Sequence, residues 1–178
     1  RTSPDGITWT NQDSGTTNLL REVISSETQV CAIGSAGTII TSPDGITWTP
    51  RKFIYNAVTY SSSLGLFCAV CSVNSHVRTS PDGITWTTKE PGTNITTYLT
   101  DVTWSGTQFC IVGVSGKVFT SPNGDTWTLR TSGTTSSLYG VVWTGTQFCA
   151  VGLSGRVITS PDGITWTTRT SGTTSLLY

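Results

Sequence analysis

The nine residues TSPDGITWT recur at 2–10, 41–49, 79–87 and 159–167, and return as TSPNGDTWT at 120–128. Their serines, Ser3, Ser42, Ser80, Ser121 and Ser160, stand 39, 38, 41 and 39 residues apart. A period near 40 means that one supersecondary unit is copied along the chain, so the fold has to be read from the unit. The clearest copy runs from 138 to 170. It breaks at turn signals into four short β-rich runs: 139–143 before Thr144-Gly145, 147–151 before Gly152-Leu153-Ser154-Gly155, 156–159 before Ser160-Pro161-Asp162-Gly163, and 164–168 before a Ser/Gly/Thr loop. Runs of this length bounded by Gly, Pro, Asp and Ser are strands and tight turns, here strands A to D. No window shows helical spacing of apolar residues.

Only 35% of the 178 residues are apolar, yet 11% are charged, the net charge is zero and there are seven Trp. Disorder requires high charge and few aromatics, so this is a folded, all-β composition. Zero net charge removes the electrostatic warrant for nucleic-acid binding. No apolar run approaches the roughly 20 residues of a membrane helix, so no membrane insertion is expected.

Four antiparallel strands per repeat predict the blade of a β-propeller. In strand B, Phe148 and Ala150 face one side and Cys149 and Val151 the other, all apolar or small. A strand apolar on both faces has to be covered on both. The motif is a turn with a mechanism: Pro161 presets φ, Asp162 suits the next position, and Gly163 supplies a left-handed residue. The Ser hydroxyl and Asp carboxylate are placed to bond back to turn N–H groups. Trp166 is expected in strand D, closing the gap to the next blade.

The run S-P-D-G-I-T-W resembles the Asp-box, or BNR, repeat, and VGLSGRVITSPDGITW looks like blades of propellers similar to sialidases and photosystem II assembly factors. All five copies carry the resemblance. The spacing from Asp to Trp is one residue shorter than the usual box, which implies a tighter hairpin, and 121–127 has Asn123 for Asp with Asp125 after the Gly. The resemblance implies a purely structural role for Ser3, Asp5, Trp9, Ser42, Asp44, Trp48, Ser80, Asp82, Trp86, Ser121, Asn123, Trp127, Ser160, Asp162 and Trp166.

Four complete units span about 19–52, 53–90, 95–131 and 138–170. Residues 1–12 supply strands C and D of a fifth, and Leu176 to Tyr178, closing the segment 171–178, match the start of a strand A. One domain is expected, with five blades, one incomplete or shared between the termini. The chain starts at Arg1 and has no Met, which suggests a processed or partial chain. Cys31, Cys68, Cys110 and Cys149 occupy one repeat position, a blade apart and too far to pair, and Cys68 and Cys71 point to opposite faces. All five read as buried free thiols. Free thiols fit a reducing compartment, whereas the Ser/Thr-rich surface leans towards a secreted or cell-surface protein, so the compartment stays open.

In such a blade the A–B and C–D turns share one face of the ring, and the B–C turns and the D–A loops (14–17, 132–135, 171–174) share the other. Loops on a rigid scaffold carry binding sites. Just after the B–C turn stand Thr38, His76, Lys117 and Arg156, a ring of variable polar residues and the candidate ligand-binding surface. Blade two departs most, with Arg51, Lys52, Phe53 and Tyr55 in place of the SGTT loop, the sole His, and Arg78 where other copies are apolar; Arg78 and Tyr55 join the candidate set. One His excludes a two-His metal site, no cofactor motif occurs, and the scattered acids and bases form no catalytic cluster. Asn94-Ile95-Thr96 matches a glycosylation acceptor. The expected function is a non-enzymatic binding or structural scaffold for glycan or protein. The alternatives are a fragment or engineered chain that self-associates to complete its blades, and a degenerate sialidase-like glycoside hydrolase.

Overall fold

A computed structural model describes residues 1–51, 55–71, 76–89 and 97–178. Each of the four complete units folds into one antiparallel sheet. Blade one holds β1 (Leu20–Ser25), β2 (Val30–Gly34), β3 (Ile39–Ser42) and β4 (Thr49–Arg51). Blade two holds β5 (Tyr55–Ser61), β6 (Leu66–Cys71), β7 (Val77–Ser80) and β8 (Thr87–Lys89). Blade three holds β9 (Leu99–Trp104), β10 (Phe109–Gly113), β11 (Val118–Ser121) and β12 (Thr128–Arg130). Blade four holds β13 (Leu138–Trp143), β14 (Phe148–Gly152), β15 (Val157–Ser160) and β16 (Thr167–Arg169). The first strands pack together, β1 on β5, β5 on β9 and β9 on β13, and so form the inner layer.

The cores are seams between blades. Cys31, Ile33 and Ile39 of blade one meet Tyr55, Val58, Phe67 and Ala69 of blade two. Cys68, Val70 and Val77 meet Leu99, Phe109, Ile111 and Trp127 of blade three. Cys110, Val112 and Val118 meet Leu138, Phe148, Ala150 and Ile158 of blade four. This two-sided burial is what the apolar pattern of strand B demands. Trp86, Trp127 and Trp166 therefore pack in the seam with the preceding blade, each against its own blade's Phe (Phe148 to Trp166, 6.2 Å between ring centroids), not towards the next blade as the sequence suggests.

The fourth strand also starts later than expected, at Thr167 rather than at residue 164. The motif explains the delay. Asp162 Oδ1 accepts the N–H groups of Ile164 and Thr165, both at 2.8 Å, so those amides are withdrawn from the ladder. Ser160 Oγ donates to Asp162 at 3.0 Å, and Trp166 Nε1 donates to the Gly163 carbonyl at 3.1 Å. The same bonds form at Ser3 and Asp5, Ser42 and Asp44, and Ser80 and Asp82. Asn123 reproduces them with its amide oxygen, taking the N–H groups of Asp125 and Thr126. Asp125 instead pairs with Lys89 of blade two at 2.6 Å.

Residues 2–10 form a hairpin in which Thr2 and Thr10 exchange backbone bonds of 2.9 and 2.8 Å, the pairing that Thr41 and Thr49 make in blade one. The Thr2 methyl lies against Gly45 as Thr79 lies against Gly124 and Thr120 against Gly163. The hairpin thus sits where the outer half of a preceding blade would sit, and its Trp9 is 55% exposed. At the other end, Leu177 donates its N–H to Gly152 at 3.1 Å, and the Tyr178 ring lies 5.8 Å from Tyr139.

One device recurs at the inner strand and was not legible beforehand. The register slips at the second residue of every first strand, at Arg21, Asn56, Thr100 and Tyr139. A bulge re-aims its side chain. Asn56 Nδ2 reaches the Leu99 carbonyl at 2.6 Å and Thr100 Oγ1 the Leu138 carbonyl at 2.7 Å, each in the next blade.

Candidate binding face

The B–C turns of blades one, three and four are short 3₁₀ turns with a left-handed residue at their centre, Ala36, Ser115 or Ser154 (φ 52, 58 and 58°). In blades three and four the following glycine, also left-handed, packs beneath the SGTT loop that follows the blade. A Cβ on Gly116 would run into the Thr134 carbonyl oxygen, and one on Gly155 into that of Thr173. The SGTT loop is itself fixed: Ser132 Oγ donates to Thr134 O at 3.1 Å, and Ser171 Oγ to Thr173 O at 3.0 Å. Turn, glycine and loop together make the floor and wall of a groove, built the same way in successive blades.

The other wall carries a cation that stands ten residues after the motif threonine. Arg51 Nε donates to Thr41 Oγ1 at 2.9 Å, Arg130 Nε to Thr120 at 2.8 Å and Arg169 Nε to Thr159 at 2.9 Å. Sequence reasoning missed this row, although the constant offset of ten residues was there to find. Gln12 fills the position beside Thr2. In blade two the position is Lys89, which goes to Asp125 instead.

The six candidate residues separate into three places. Lys117 and Arg156 come together: with Arg130 and the 131–136 loop they line an open groove of about 670 Å³ at blade three. Arg156 also lines the next groove, about 600 Å³, with Arg169 and the 170–174 loop. Among the described residues no Asp or Glu lines either groove. Thr38 lines the counterpart at blade one, about 350 Å³, where it bonds Ser35 O and Asn18 Nδ2. Tyr55 is 3% exposed, its ring 5.0 Å from Trp86 in the first seam, and one side of it borders a pocket with Arg21 and Asn56. Burial and the neighbouring Cys71 raise the Tyr55 phenol, and the Arg78 guanidinium opposes them. His76 immediately precedes β7. Lys52, Phe53 and the 94–96 acceptor lie outside the described residues.

Two carboxylates that sequence reasoning passed over lie at the inner strands. Burial raises Asp101 to about 6, although the N–H groups of Val141 and Val102 pull the other way. Burial, and then the charge of Asp101, raise Glu22 to about 7. Glu22 is nevertheless an exposed residue, so solvent screens part of that effect. Each carboxylate accepts an amide of the next blade: Glu22 that of Val58, Asp101 that of Val141. All five cysteines are free thiols; four are buried and Cys149 is half-buried. Its counterparts Cys31, Cys68 and Cys110 face the following blade across a complete seam, which Cys149 lacks. Among the described residues no group of three His, Cys, Asp or Glu could hold a metal, and no helix is long and apolar enough to cross a membrane.

Solved structures match this arrangement closely in shape. YCF48 bound to D1 peptide superposes with a TM-score of 0.65 at 19% identity, over 92% of this chain and 57% of that one. The fold is a β-propeller. YCF48 from Cyanidioschyzon merolae matches with a TM-score of 0.67 at 19% identity, over 86% and 56% of the two chains. The GH74 enzyme of Niastella koreensis matches at 0.56 and 19%, over 79% and 22%. The chain thus spans little more than half the length of the YCF48 structures. No protein-family model and no curated protein matches it. The propeller's neighbours therefore include both a peptide-bound protein and an enzyme, at identities that speak to fold alone.

Proposed function

We propose that this propeller is a non-enzymatic binding module or scaffold that holds an anionic ligand, glycan or protein, on the face made by its B–C turns and SGTT loops. One observation carries the reading: Lys117, Arg130 and Arg156 converge on a single groove lined by hydroxyls and, among the described residues, by no carboxylate. In a net-neutral chain with few charges, three cations without a counter-charge make a local field that favours an anion. The D1 peptide seen with YCF48 supports the use of this fold to hold a protein segment. The structural role of the SPDG turns fits the same picture, since every motif Asp or Asn is engaged by its own turn. The test is calorimetric titration at physiological salt with polyglutamate and with polygalacturonate. Wild-type protein binds at least one of them, and Lys117→Gln/Arg156→Gln weakens that binding tenfold or more, about 1.4 kcal/mol. Absence of binding to both polymers ends the proposal.

A second reading, glycoside hydrolysis, has one observation in its favour, the raised carboxyls of Glu22 and Asp101. Against it, both carboxylates hold backbone amides of the adjacent blade and neither lines the basic grooves. Turnover of fluorogenic glycosides that is lost in Asp101→Asn would revive it.

A further inference from the structure

We propose that the two grooves flanking Arg156 form one continuous site for an acidic polysaccharide, a uronate-like chain whose anionic groups recur along its length. This rests on the binding-module reading above and adds the ligand class. Arg156 stands on the wall common to both grooves, with Lys117 and Arg130 on one side and Arg169 on the other. Its Nε is buried and meets no acceptor, whereas the Nε atoms of Arg130 and Arg169 are held by threonines. Buried donors are normally paired, so an anion that draws the Arg156 guanidinium towards the junction of the two basic grooves would supply the partner its Nε lacks.

The class of ligand follows from the repetition. Both grooves have the same left-handed turn, the same glycine under a threonine carbonyl, the same threonine-held arginine and the same hydroxyl-rich loop. A surface that repeats at one-blade intervals matches a ligand that repeats, and gains avidity from each added unit. A peptide of ordinary sequence does not repeat, and it needs apolar sockets for specificity. Among the described residues Leu129 is the one apolar side chain that lines the two grooves. Serine and threonine hydroxyls both donate and accept, as sugar hydroxyls do. Among the described residues no aromatic ring lines either groove, so the stacking on which single-stranded nucleic acids depend has no platform there. Blade one differs: Thr38 takes the place of Arg156, and among the described residues lining that groove Arg51 is the one cation.

The experiment compares a galacturonate dimer with a long oligogalacturonate by calorimetry, alongside oligoglutamate and a single-stranded oligodeoxynucleotide of equal charge. The long oligogalacturonate is expected to bind about tenfold or more tightly than the dimer, and more tightly than the other two polymers. Arg156→Gln brings the long chain to within about twofold of the dimer. Circular dichroism verifies folding; if Arg156→Gln fails to fold, Lys117→Gln/Arg169→Gln gives the same readout from either side of it. Equal affinity for dimer and long chain overturns the continuous site. Tighter binding of oligoglutamate or the oligodeoxynucleotide overturns the ligand class and leaves the module reading standing. Binding of no anion at all removes both.

Discussion

Asp101 Oδ2 accepts the Val141 amide at 2.7 Å, across the seam between the inner strands of blades three and four. Its other oxygen takes the Val102 amide at 2.8 Å. Removing the carboxylate leaves the buried Val141 N–H without this partner, a loss of about 1–3 kcal/mol. Asp101→Ala should lower the urea midpoint accordingly, and Asp101→Asn, which keeps an oxygen there, should lose less. Equal stability of Asp101→Ala and wild type would show that the seam does not depend on this bond.

The pH dependence of stability should have two limbs. Asp101 rises from 3.8 to about 6 and Glu22 from 4.5 to about 7 on folding. A carboxyl that holds its proton more tightly when folded favours the folded state fully below its unfolded value, and that contribution is lost as pH climbs through the folded value. These two groups therefore erode stability between about pH 4 and 7. Asp44 and Asp162 act oppositely. The amides of Thr47 and Thr165, then those of Ile46 and Ile164, hold their carboxylates low, so their support is lost as pH falls below about 4. Denaturant midpoints measured across this range should peak on the acid side of neutrality. Glu22→Gln/Asp101→Asn should flatten the fall above the peak; a wild-type midpoint still climbing from pH 5 to 8 would contradict the assignment.

Two glycines of the same region should respond very differently to alanine. Gly116 (φ 68°) lies directly beneath the Thr134 carbonyl, whereas Gly133 (φ 72°) has nothing within 4 Å of its missing side chain. Both substitutions force a left-handed alanine, about 1 kcal/mol, and only Gly116→Ala adds a clash with backbone, for a total of about 3 kcal/mol. Thermal melts of the two variants measure the gap, which should also appear as weakened anion binding in Gly116→Ala alone.

Thiol labelling should find one accessible site. Burial raises Cys31 to about 12 and Cys71 to about 11, and pushes Cys68 and Cys110 higher still. Cys149, half-buried, is raised as well, by its partial burial. A thiol-exchange reagent at mildly alkaline pH should modify Cys149 first and the rest only on unfolding, a sequence that peptide mass mapping resolves.

The legible parts of this protein are the local ones. The period, the four strands and the bonding of Ser160, Asp162 and Gly163 depend on residues close in sequence and were readable from residue type. What crosses from blade to blade was hidden. The bulged position reads Arg21, Asn56, Thr100 and Tyr139, and the carboxylate position Glu22, Ala57, Asp101 and Gly140, so neither shows as a motif. The direction of Trp166 was misjudged because its indole is turned back by the Gly163 carbonyl before the outer strand begins. The ring of Thr38, His76, Lys117 and Arg156 was legible as a set of positions. That Arg156 belongs to two grooves at once required knowing that the SGTT loop runs between neighbouring turns.

The Thr79–Gly124 and Thr120–Gly163 contacts join residues drawn from the same nine-letter phrase in adjacent copies. At these junctions the phrase carries both halves of the joint, the knob for the unit after it and the socket for the unit before, whereas Gly83 meets Gln29 and Phe67 instead. An ancestral gene could lengthen by whole units without inventing a new fit, which explains how near-verbatim copies coexist in one chain while the exposed turns between them drift apart.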